Sequence, residues 1–521
     1  MTRLKRFFHN ALLLGATTIL MRVIAVAFNA YVSGKLGAEG MGLYSLVVSV
    51  YGFAVTLATS GISLAVMRLV SEEMGKGKPE GAILAMKKCV GYALIFGFLS
   101  FLLLFFGADT IAKRILQDSR TYLSLRVLSV ALPFIALSNV FSGYFNAVRR
   151  VIKSASASIA EQFLKIMLTV GFLRMLLPKG IEYATLALVL GTANSEALSF
   201  FYLFLFYIFD KRKYLKTKSA SKETNMKKRM LHIALPIALS SYLRSGLVTV
   251  QHILIPIGLR KHGADYSTSL ASYGVIHGMV FPLILFPSAV CMTFAGLIVP
   301  ELSELAARYQ TIKEHRHICY IVKRALSFAV LFGIGTAGIF ICFAEPLGIL
   351  IYQSREAARY IRLFAALVPV MYLDTTVDGM LKGLGQQMHS MFYNIVDASL
   401  SVFLVWTLMP KIGIYGYVVC VFVTELINLA CSLSRLLNVT NVRLPILKTV
   451  FSPILCIAGG TAVSMLILKS IGIAFGNLSL SIVGILLTLI FYFIFLRMTG
   501  GLSAEESHWF FGIFKKEDPY G

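Results

Sequence analysis

The sequence predicts an all-α polytopic membrane protein with about fourteen transmembrane helices. Of its 521 residues, 57% are hydrophobic and 14% are charged, and the mean hydropathy is +0.77. Soluble domains carry about 25% charged residues, so this chain lacks the polar residues that cover a water-facing surface. Its apolar residues also fall into runs of roughly 20, the length that a bilayer-spanning helix needs. Together these observations exclude a soluble fold.

Fourteen apolar runs are long enough to cross a bilayer. They lie at about 8–31, 41–66, 89–107, 127–148, 155–174, 183–209, 231–257, 270–298, 325–344, 361–381, 391–409, 413–434, 449–468 and 473–496. The first run is too long for the core of a cleaved signal peptide, so we expect it to be retained. The seven cysteines are scattered without a Cys-x-x-Cys pair, which is typical of reduced packing residues.

The net charge of +24 reports the topology of the chain. Of the 49 Lys and Arg residues, 32 fall on the N-terminal side of the alternating spans, 14 fall on the other side, and three lie within spans. By the positive-inside rule, both termini and the basic linker at 210–229 are predicted to be cytoplasmic. Because the basic residues flank apolar runs, their expected partner is the anionic lipid of the inner leaflet, and nucleic-acid binding is not expected.

The two halves of the chain resemble each other, which predicts a direct repeat of six spans. Because six is even, both copies run in the same direction, so we expect two bundles related by a pseudo-twofold axis along the membrane normal, with a site between them. The predicted divisions are a bundle at 1–209, the linker at 210–229, a bundle at 230–434, and two additional spans with a cytoplasmic tail at 435–521. The matching segments are 132–143 with 368–379, 70–72 with 302–304, 177–179 with 409–411, Glu161 with Asp397, and Glu196 with Glu425.

Three basic residues, Arg22, Lys165 and Arg244, lie inside predicted spans. A charge at the centre of a span costs about 2.5–3.5 kcal/mol on insertion scales, so it needs a partner, a water-filled cavity or a ligand. Arg22 and Arg244 occupy the first span of each copy, and the repeat predicts that both face the central cleft. Guanidinium groups bind phosphate or carboxylate bidentately, which favours an anionic substrate. The alternative is that each arginine pairs with a structural carboxylate or extends to the interface.

Acidic residues inside the spans are candidates for charge pairing or ion coupling. Glu161 precedes Lys165 by four residues, the favourable order for a helical ion pair, so this pair either binds substrate or lowers the cost of burial. Asp374 and Asp378 are also four apart and share a helix face. Two like charges there favour a proton or cation site, with a partly hydrated pair as the alternative. The single acids are Asp397, Glu196 and Glu425, for which either ion coupling or hydrogen bonding inside a bundle is expected.

Several segments resemble stage V sporulation protein B-like polysaccharide exporters, which belong to the multidrug/oligosaccharidyl-lipid/polysaccharide (MOP) exporter superfamily. This superfamily includes lipid-linked oligosaccharide flippases and the multidrug and toxin extruders (MATE), and the resemblance implies their fold. Arg22 matches an arginine that the lipid II flippases need, whereas Lys165 stands where the family commonly has arginine. The segments are Asn29, 36–44, 61–65, 69–72, 143–145, 160–165 and 379–385.

The resemblance implies a flippase of the bacterial cell membrane. It would move an undecaprenyl-pyrophosphate-linked saccharide, a polysaccharide or peptidoglycan precursor, from the cytoplasmic to the outer leaflet by alternating access. Arg22, Arg244, Lys165 and Glu161 would bind the substrate, and the acids would pair with the basic residues or couple Na⁺ or H⁺. The alternative is that the membrane potential alone drives the movement of charge. Cell-wall synthesis enzymes are the expected protein partners.

Two rival functions stay open. A cation-coupled multidrug extruder predicts a cleft of acids and aromatics without arginine. A membrane glycosyltransferase or polymerase predicts a large outer loop with paired acids, whereas the longest predicted outer loops have about 16–20 residues. The sequence has no phosphate-binding loop for ATP, and it predicts no catalytic residue, no cofactor and no resident metal.

Overall fold

The computed structural model describes residues 3–214, 225–308, 312–442, 450–470 and 478–500, and its all-helical architecture confirms the predicted fold class. Within these ranges, twelve helical stretches are long and apolar enough to cross a membrane, or thirteen with one bent pair. The helices are α1 (Arg3–Thr59), α2 (Ile62–Gly75), α3 (Pro79–Thr110), α4 (Tyr122–Ala147), α5 (Val151–Leu176), α6 (Ile181–Tyr214), α7 (Met226–Lys261), α8 (Tyr266–Tyr273), α9 (Phe281–Leu285), α10 (Ser288–Arg308), α11 (Ile312–Cys342), α12 (Ala344–Tyr352), α13 (Arg355–Ala365), α14 (Val368–Gly383), α15 (Gln387–Ile412), α16 (Ile414–Thr440), α17 (Ser452–Ser470) and α18 (Leu478–Met498).

The first two predicted spans form the single helical stretch α1. Its 57 residues correspond to about 85 Å of helix, far more than the roughly 30 Å of a hydrocarbon core. A kink at Gly37, with φ +67° and ψ −176°, divides the stretch between the two predicted spans. Glycine permits this backbone conformation because it lacks a Cβ. The predicted pair of spans is therefore present, joined by a kink instead of a loop.

The second span of each copy is broken. In the first copy, α1 gives way to α2 at Gly61, which has φ +76°. In the second copy, the span predicted at 270–298 consists of α8, a π-helical turn at Gly274–Val280, α9 and α10, with the break before α10 at Pro287. Proline interrupts the helical hydrogen-bond ladder because it has no N–H. The tenth predicted span is bent by 57° between α13 and α14.

Equivalent hydrogen bonds in the two copies bear out the repeat. In the first copy, Ser71 Oγ donates to the carbonyl oxygen of Ala147 at 3.3 Å. In the second copy, Ser303 Oγ donates to the carbonyl oxygen of Gly383 at 2.9 Å. The two serines are 232 residues apart and the two acceptors are 236 apart, the offsets found in the sequence. The helix that follows the break in the second span, α2 or α10, is thus hydrogen-bonded to the end of the fourth span in both copies.

By packing, the chain divides into two units. The first unit lies within Met1–Gly278 and Ala398–Tyr417, and the second lies within Met279–Asp397 and Val418–Gly521. The predicted bundle boundaries at 209, 230 and 434 stay a prediction. Residues 215–224 of the predicted linker and 501–521 of the predicted tail lie outside the described residues.

Each unit has its own apolar core. The core of the first unit joins α2, α3, α4 and the beginning of α7, and it includes Leu69, Met86, Phe145 and Met230. The core of the second unit joins α10, α11, α14 and α16, and it includes Leu302, Val322, Met380 and Leu436.

Candidate functional site

A charged cluster lies inside the first unit where α5 packs against α6. The Ser199 hydroxyl hydrogen-bonds to the Glu161 carboxylate, and Lys165 interacts electrostatically with Glu161. Glu196 on α6 interacts electrostatically with Glu161 and Lys165. The Tyr51 side chain on α1 interacts electrostatically with both carboxylates. Both carboxylates and the lysine are half-buried, whereas Ser199 and Tyr51 are buried. Three predicted site residues are therefore close together.

The cluster brings two carboxylates and one lysine together, so its formal charge is −1 only when both carboxylates are ionised. A proton or a small cation can neutralise the remaining charge, and loss of either carboxylate's charge frees the lysine for an anionic ligand. The sequence predicted the Glu161–Lys165 pair from its spacing along α5. It did not predict that Glu196 joins the pair, nor the contributions of Tyr51 and Ser199. Tyr51 and Ser199 are neutral polar residues in apolar runs, and a neutral polar residue indicates a functional site less strongly than a charged one does.

The two arginines predicted to bind substrate both lie in the first unit. Arg22, on α1, is half-buried, and Arg244, on α7, is exposed. Because an arginine carries its charge at every physiological pH, exposed placement on a helix inside a membrane requires a polar environment around the guanidinium group. The structure leaves the assigned role of both residues as a prediction.

Arg244 points away from the face of α7 that packs on α1. On that face, the Tyr242 hydroxyl donates to the carbonyl oxygen of Leu57 at 3.1 Å, and Ser245 Oγ donates to Thr56 Oγ1 at 3.1 Å. Successive residues of a helix are rotated by about 100°, which places Arg244 on a different face from these two donors. Its guanidinium group is therefore available to a ligand without disrupting the contact between α7 and α1.

The second unit holds the two aspartates predicted as an ion site, each bonded to neutral donors. Ser390 Oγ and Asn394 Nδ2, both on α15, donate to the carboxylate oxygens of Asp378 at 2.7 and 3.3 Å. Asn428 Nδ2, on α16, donates to Asp374 Oδ2 at 3.0 Å. The two aspartates share one face of α14, as the spacing predicted, and three helices contribute to the set.

The surroundings of these aspartates are rich in oxygen ligands suited to a hard cation. Asn428 is 7% exposed, and within the described part of the chain no residue donates a hydrogen bond to its Oδ1. Lys382 Nζ lies 4.0 Å from Asp378 Oδ2 and is half exposed, so it can move away from the carboxylate. Asp397 on α15 and Glu425 on α16 are both half-buried. In the sequence repeat, these two acids correspond to Glu161 and Glu196. Their ion-coupling role stays a prediction.

A family model described as polysaccharide biosynthesis protein matches residues 7–287, more than half of the chain. The chain belongs to this family. Membership in the polysaccharide biosynthesis protein family confirms the resemblance seen in the sequence, and with the apolar helices it makes the chain a multi-pass membrane protein.

Curated relatives of this family member come from Bacillus subtilis (strain 168). The chain is 25% identical to stage V sporulation protein B over 419 residues, covering 79% of each protein. It is 22% identical to the lipid II flippase MurJ over 318 residues, covering 55% of this chain and 56% of that protein.

Solved structures share the fold of this family member. The inward closed conformation of the lipid II flippase MurJ matches with a TM-score of 0.69 at 14% identity, covering 94% of this chain and 99% of that one. An inward-facing multidrug resistance MATE transporter of the MOP superfamily matches with a TM-score of 0.62 at 15% identity, covering 81% and 95%. The fold that the resemblance in the sequence implied is therefore confirmed.

Proposed function

We propose that this protein is a flippase that moves an undecaprenyl-pyrophosphate-linked saccharide, a polysaccharide or peptidoglycan precursor, from the cytoplasmic to the outer leaflet by alternating access. Its family, its relatives and its fold support transport over catalysis. The lipid tail can stay in the bilayer while the charged head group crosses a polar path. No covalent step is needed for this movement.

The observation that carries the proposal is the charged cluster of Glu161, Lys165 and Glu196 inside the spans. A pyrophosphate head group needs cationic partners in the membrane, and the first unit supplies Lys165 together with Arg22 and Arg244. Lys165 interacts with two carboxylates in this structure. Binding of pyrophosphate therefore requires Lys165 to exchange one anionic partner for another, and uptake of a proton or cation by the carboxylates makes that exchange favourable.

The second unit supports cation coupling of the same transport. Asp374 and Asp378, with Asn428, provide carboxylate and amide oxygens inside the spans, where Na⁺ or H⁺ can bind. In this proposal Glu196, Asp397 and Glu425 pair charges or accept the coupling ion. The membrane potential adds about 2.3 kcal/mol per charge moved across 100 mV, so either cation provides a driving force.

A cation-coupled multidrug extruder is the second candidate function. The oxygen-rich set in the second unit and the fold match to a multidrug transporter favour it. This candidate requires a cationic substrate, for which Arg22 and Arg244 offer no attraction. The two functions therefore predict opposite effects of removing an arginine.

The proposed location is the bacterial cell membrane with both termini in the cytoplasm, as the distribution of basic residues predicts. Membrane-bound cell-wall synthesis enzymes are the proposed partners, because they make and consume lipid-linked saccharides. Labelling of cysteines added at each terminus of the protein in intact cells tests this topology, and reaction with an impermeant reagent without cell lysis contradicts it.

Reconstitution in liposomes tests the function. A fluorescent undecaprenyl-pyrophosphate-linked saccharide is placed in both leaflets, and its accessibility to an external quencher is followed with wild type and Arg22→Ala. We expect transport by wild type and a loss of roughly tenfold or more in Arg22→Ala, as for a charge-assisted hydrogen bond. Equal transport by both proteins contradicts the role of Arg22. Transport of a cationic drug without transport of the lipid supports the extruder.

A further inference from the structure

Two polar networks join α7 and α8, the first helices of the second copy, to the first copy of the repeat. All of their residues lie in the first unit, and one network lies at each end of α7. The 36 residues of α7 correspond to about 54 Å of helix, so the two networks lie on opposite sides of the membrane. We call them the inner latch, on the side predicted to be cytoplasmic, and the outer latch, on the other side.

The inner latch joins the beginning of α7 to the end of α2. Arg229 Nη2 donates to Glu72 Oε2 at 2.7 Å, and its Nη1 donates to Glu73 Oε1 at 3.0 Å. Glu73 is 1% exposed, so its carboxylate depends on charged partners, which are Arg229 of α7 and Lys76, whose Nζ lies 3.2 Å from Glu73 Oε1. Next to the latch, the backbone of Gly61 meets the Ala234 carbonyl so closely that a Cβ at Gly61 would overlap it.

The outer latch joins the beginning of α8 to α1 and to the segment between α3 and α4. The Tyr266 hydroxyl donates to Asp118 Oδ2 at 2.6 Å, and Ser267 Oγ donates to Glu39 Oε2 at 2.8 Å. Arg120 bonds both carboxylates at 2.9 Å, which fixes the two acceptors in position. The network lines an open pocket of about 590 Å³, so water can reach these charges from that side.

Glycines bring the backbone of α1 close to the backbones of α8 and the π-helical turn beside the outer latch. A Cβ at Gly42 would overlap the Leu270 carbonyl, and a Cβ at Gly274 would overlap the Ala38 carbonyl. The π-helical turn begins at Gly274, and such turns are frequent at functional sites. Because backbone atoms make these contacts, the helices can separate without withdrawing interlocked side chains. A few hydrogen bonds and ion pairs can then determine whether the helices stay together.

We propose that the inner and outer latches are the two gates of the transport cycle, and that each opens in turn while the other holds α7 and α8 against the first copy. This inference rests on the proposed function for its meaning in transport, although the gates can be tested without any substrate. In this structure both latches are closed. Opening the inner latch exposes the predicted cytoplasmic side of the interface between α7 and the first copy, and opening the outer latch exposes the other side.

Distances between spin labels measure each gate in the full-length protein in liposomes. Labels at Met74 and Lys228 report on the inner gate, and labels at Arg114 and Lys261 report on the outer gate. All four side chains are exposed, and none belongs to a latch. No substrate is added, so a failed transport assay together with shifted distances contradicts the proposed function and leaves the gates supported.

The inner gate is tested with Arg229→Gln, which removes the cation that bonds Glu72 and Glu73. We expect the inner distance to lengthen, with the open-to-closed ratio raised roughly tenfold or more, and the outer distance to stay unchanged. The matched control is Arg68→Gln, because Arg68 bonds Glu72 at 3.0 Å within α2 and does not contact α7 through that bond. If Arg229→Gln does not fold, Glu72→Ala removes one of the two acceptors instead. Distances equal to those of the Arg68→Gln control overturn the inner gate.

The outer gate is tested with the combined variant Tyr266→Phe and Ser267→Ala, which removes both hydrogen bonds without changing a charge. We expect the outer distance to lengthen and the inner distance to stay unchanged. Ser269→Ala is the matched control, because the Ser269 hydroxyl donates to the carbonyl oxygen of Asp265 within its own helix turn. If the combined variant keeps the wild-type outer distance, or if both distances lengthen together, the outer latch is not a separate gate.

Discussion

Gly333 of α11 lies directly against Pro369 of α14, so that a Cβ at Gly333 would come within 2.8 Å of the Pro369 Cα. The same contact occurs 236 residues earlier, where a Cβ at Gly97 of α3 would come within 3.1 Å of the Pro133 Cα. The third and fourth spans of each copy therefore cross at a glycine that faces a proline. The repeat is present in the packing of individual atoms as well as in the sequence.

This close contact predicts that Gly333→Ala destabilises the protein. The added methyl group must displace backbone atoms of α14, and overpacking of this kind costs about 1–3 kcal/mol. Gly91→Ala is the matched control, since a Cβ there has open space and alanine favours the helix by up to about 1 kcal/mol. Thermal unfolding in detergent measures both variants. A Gly333→Ala protein as stable as the control contradicts the close contact.

The charged cluster predicts that Lys165 acts through its charge and not only as a partner for Glu161. Lys165→Gln should lower transport of the lipid-linked saccharide by roughly tenfold or more, and Lys165→Arg should retain most of it. The double variant Glu161→Gln with Lys165→Gln keeps the net charge and removes the pair. If that double variant transports at the wild-type rate, the pair only lowers the cost of burial. The liposome assay with the quencher provides the measurement.

The oxygen-rich set in the second unit predicts where the coupling cation binds. Asp374→Asn and Asp378→Asn should each weaken the dependence of transport on a Na⁺ or H⁺ gradient by roughly tenfold or more, as loss of a supporting group does at metal sites. Asp109→Asn is the control, because Asp109 is exposed and pairs with Lys113 on the surface at 2.7 Å. Transport is measured with each gradient imposed separately. Unchanged gradient dependence in both variants excludes this set as the coupling site.

The outer latch predicts a definite response to pH. Burial by itself raises the pKa of Asp118, but the hydrogen bonds from Arg120 and Tyr266 outweigh burial and hold this pKa below its usual value. A carboxyl group whose folded-state pKa is lowered contributes stability above its unfolded pKa of about 3.9, and loses it as the pH falls through the folded value.

We therefore expect the outer distance, measured between labels at Arg114 and Lys261, to stay constant from about pH 8 to about pH 5 and to lengthen only below about pH 4. In Asp118→Asn the latch lacks this titrating group, so its outer distance should not follow the same acid transition. Opening of the wild-type outer gate between about pH 5 and pH 7 contradicts this assignment and points to another titrating group.

Much of the candidate site could be predicted because charges inside apolar runs are visible one residue at a time. The sequence identified Glu161, Lys165 and Asp378 from their cost in a membrane and their helical spacing. It missed Ser390 and Asn428, which bond the aspartates of α14 from other helices. Neutral polar residues cost less in a span, and a partner on another helix leaves no local pattern.

The sequence by itself determined the all-helical class, the spans and the repeat, because hydropathy, charge distribution and offsets between similar segments are properties of the chain read in order. Tertiary structure alone decided the kink at Gly37, the break at Pro287 and the packing of α7 and α8 on the first copy. It also brought Arg229 to Glu73, two residues far apart in the chain. Such contacts depend on the shapes of helices that meet in space, and those shapes follow from backbone and packing geometry that no single stretch of sequence encodes.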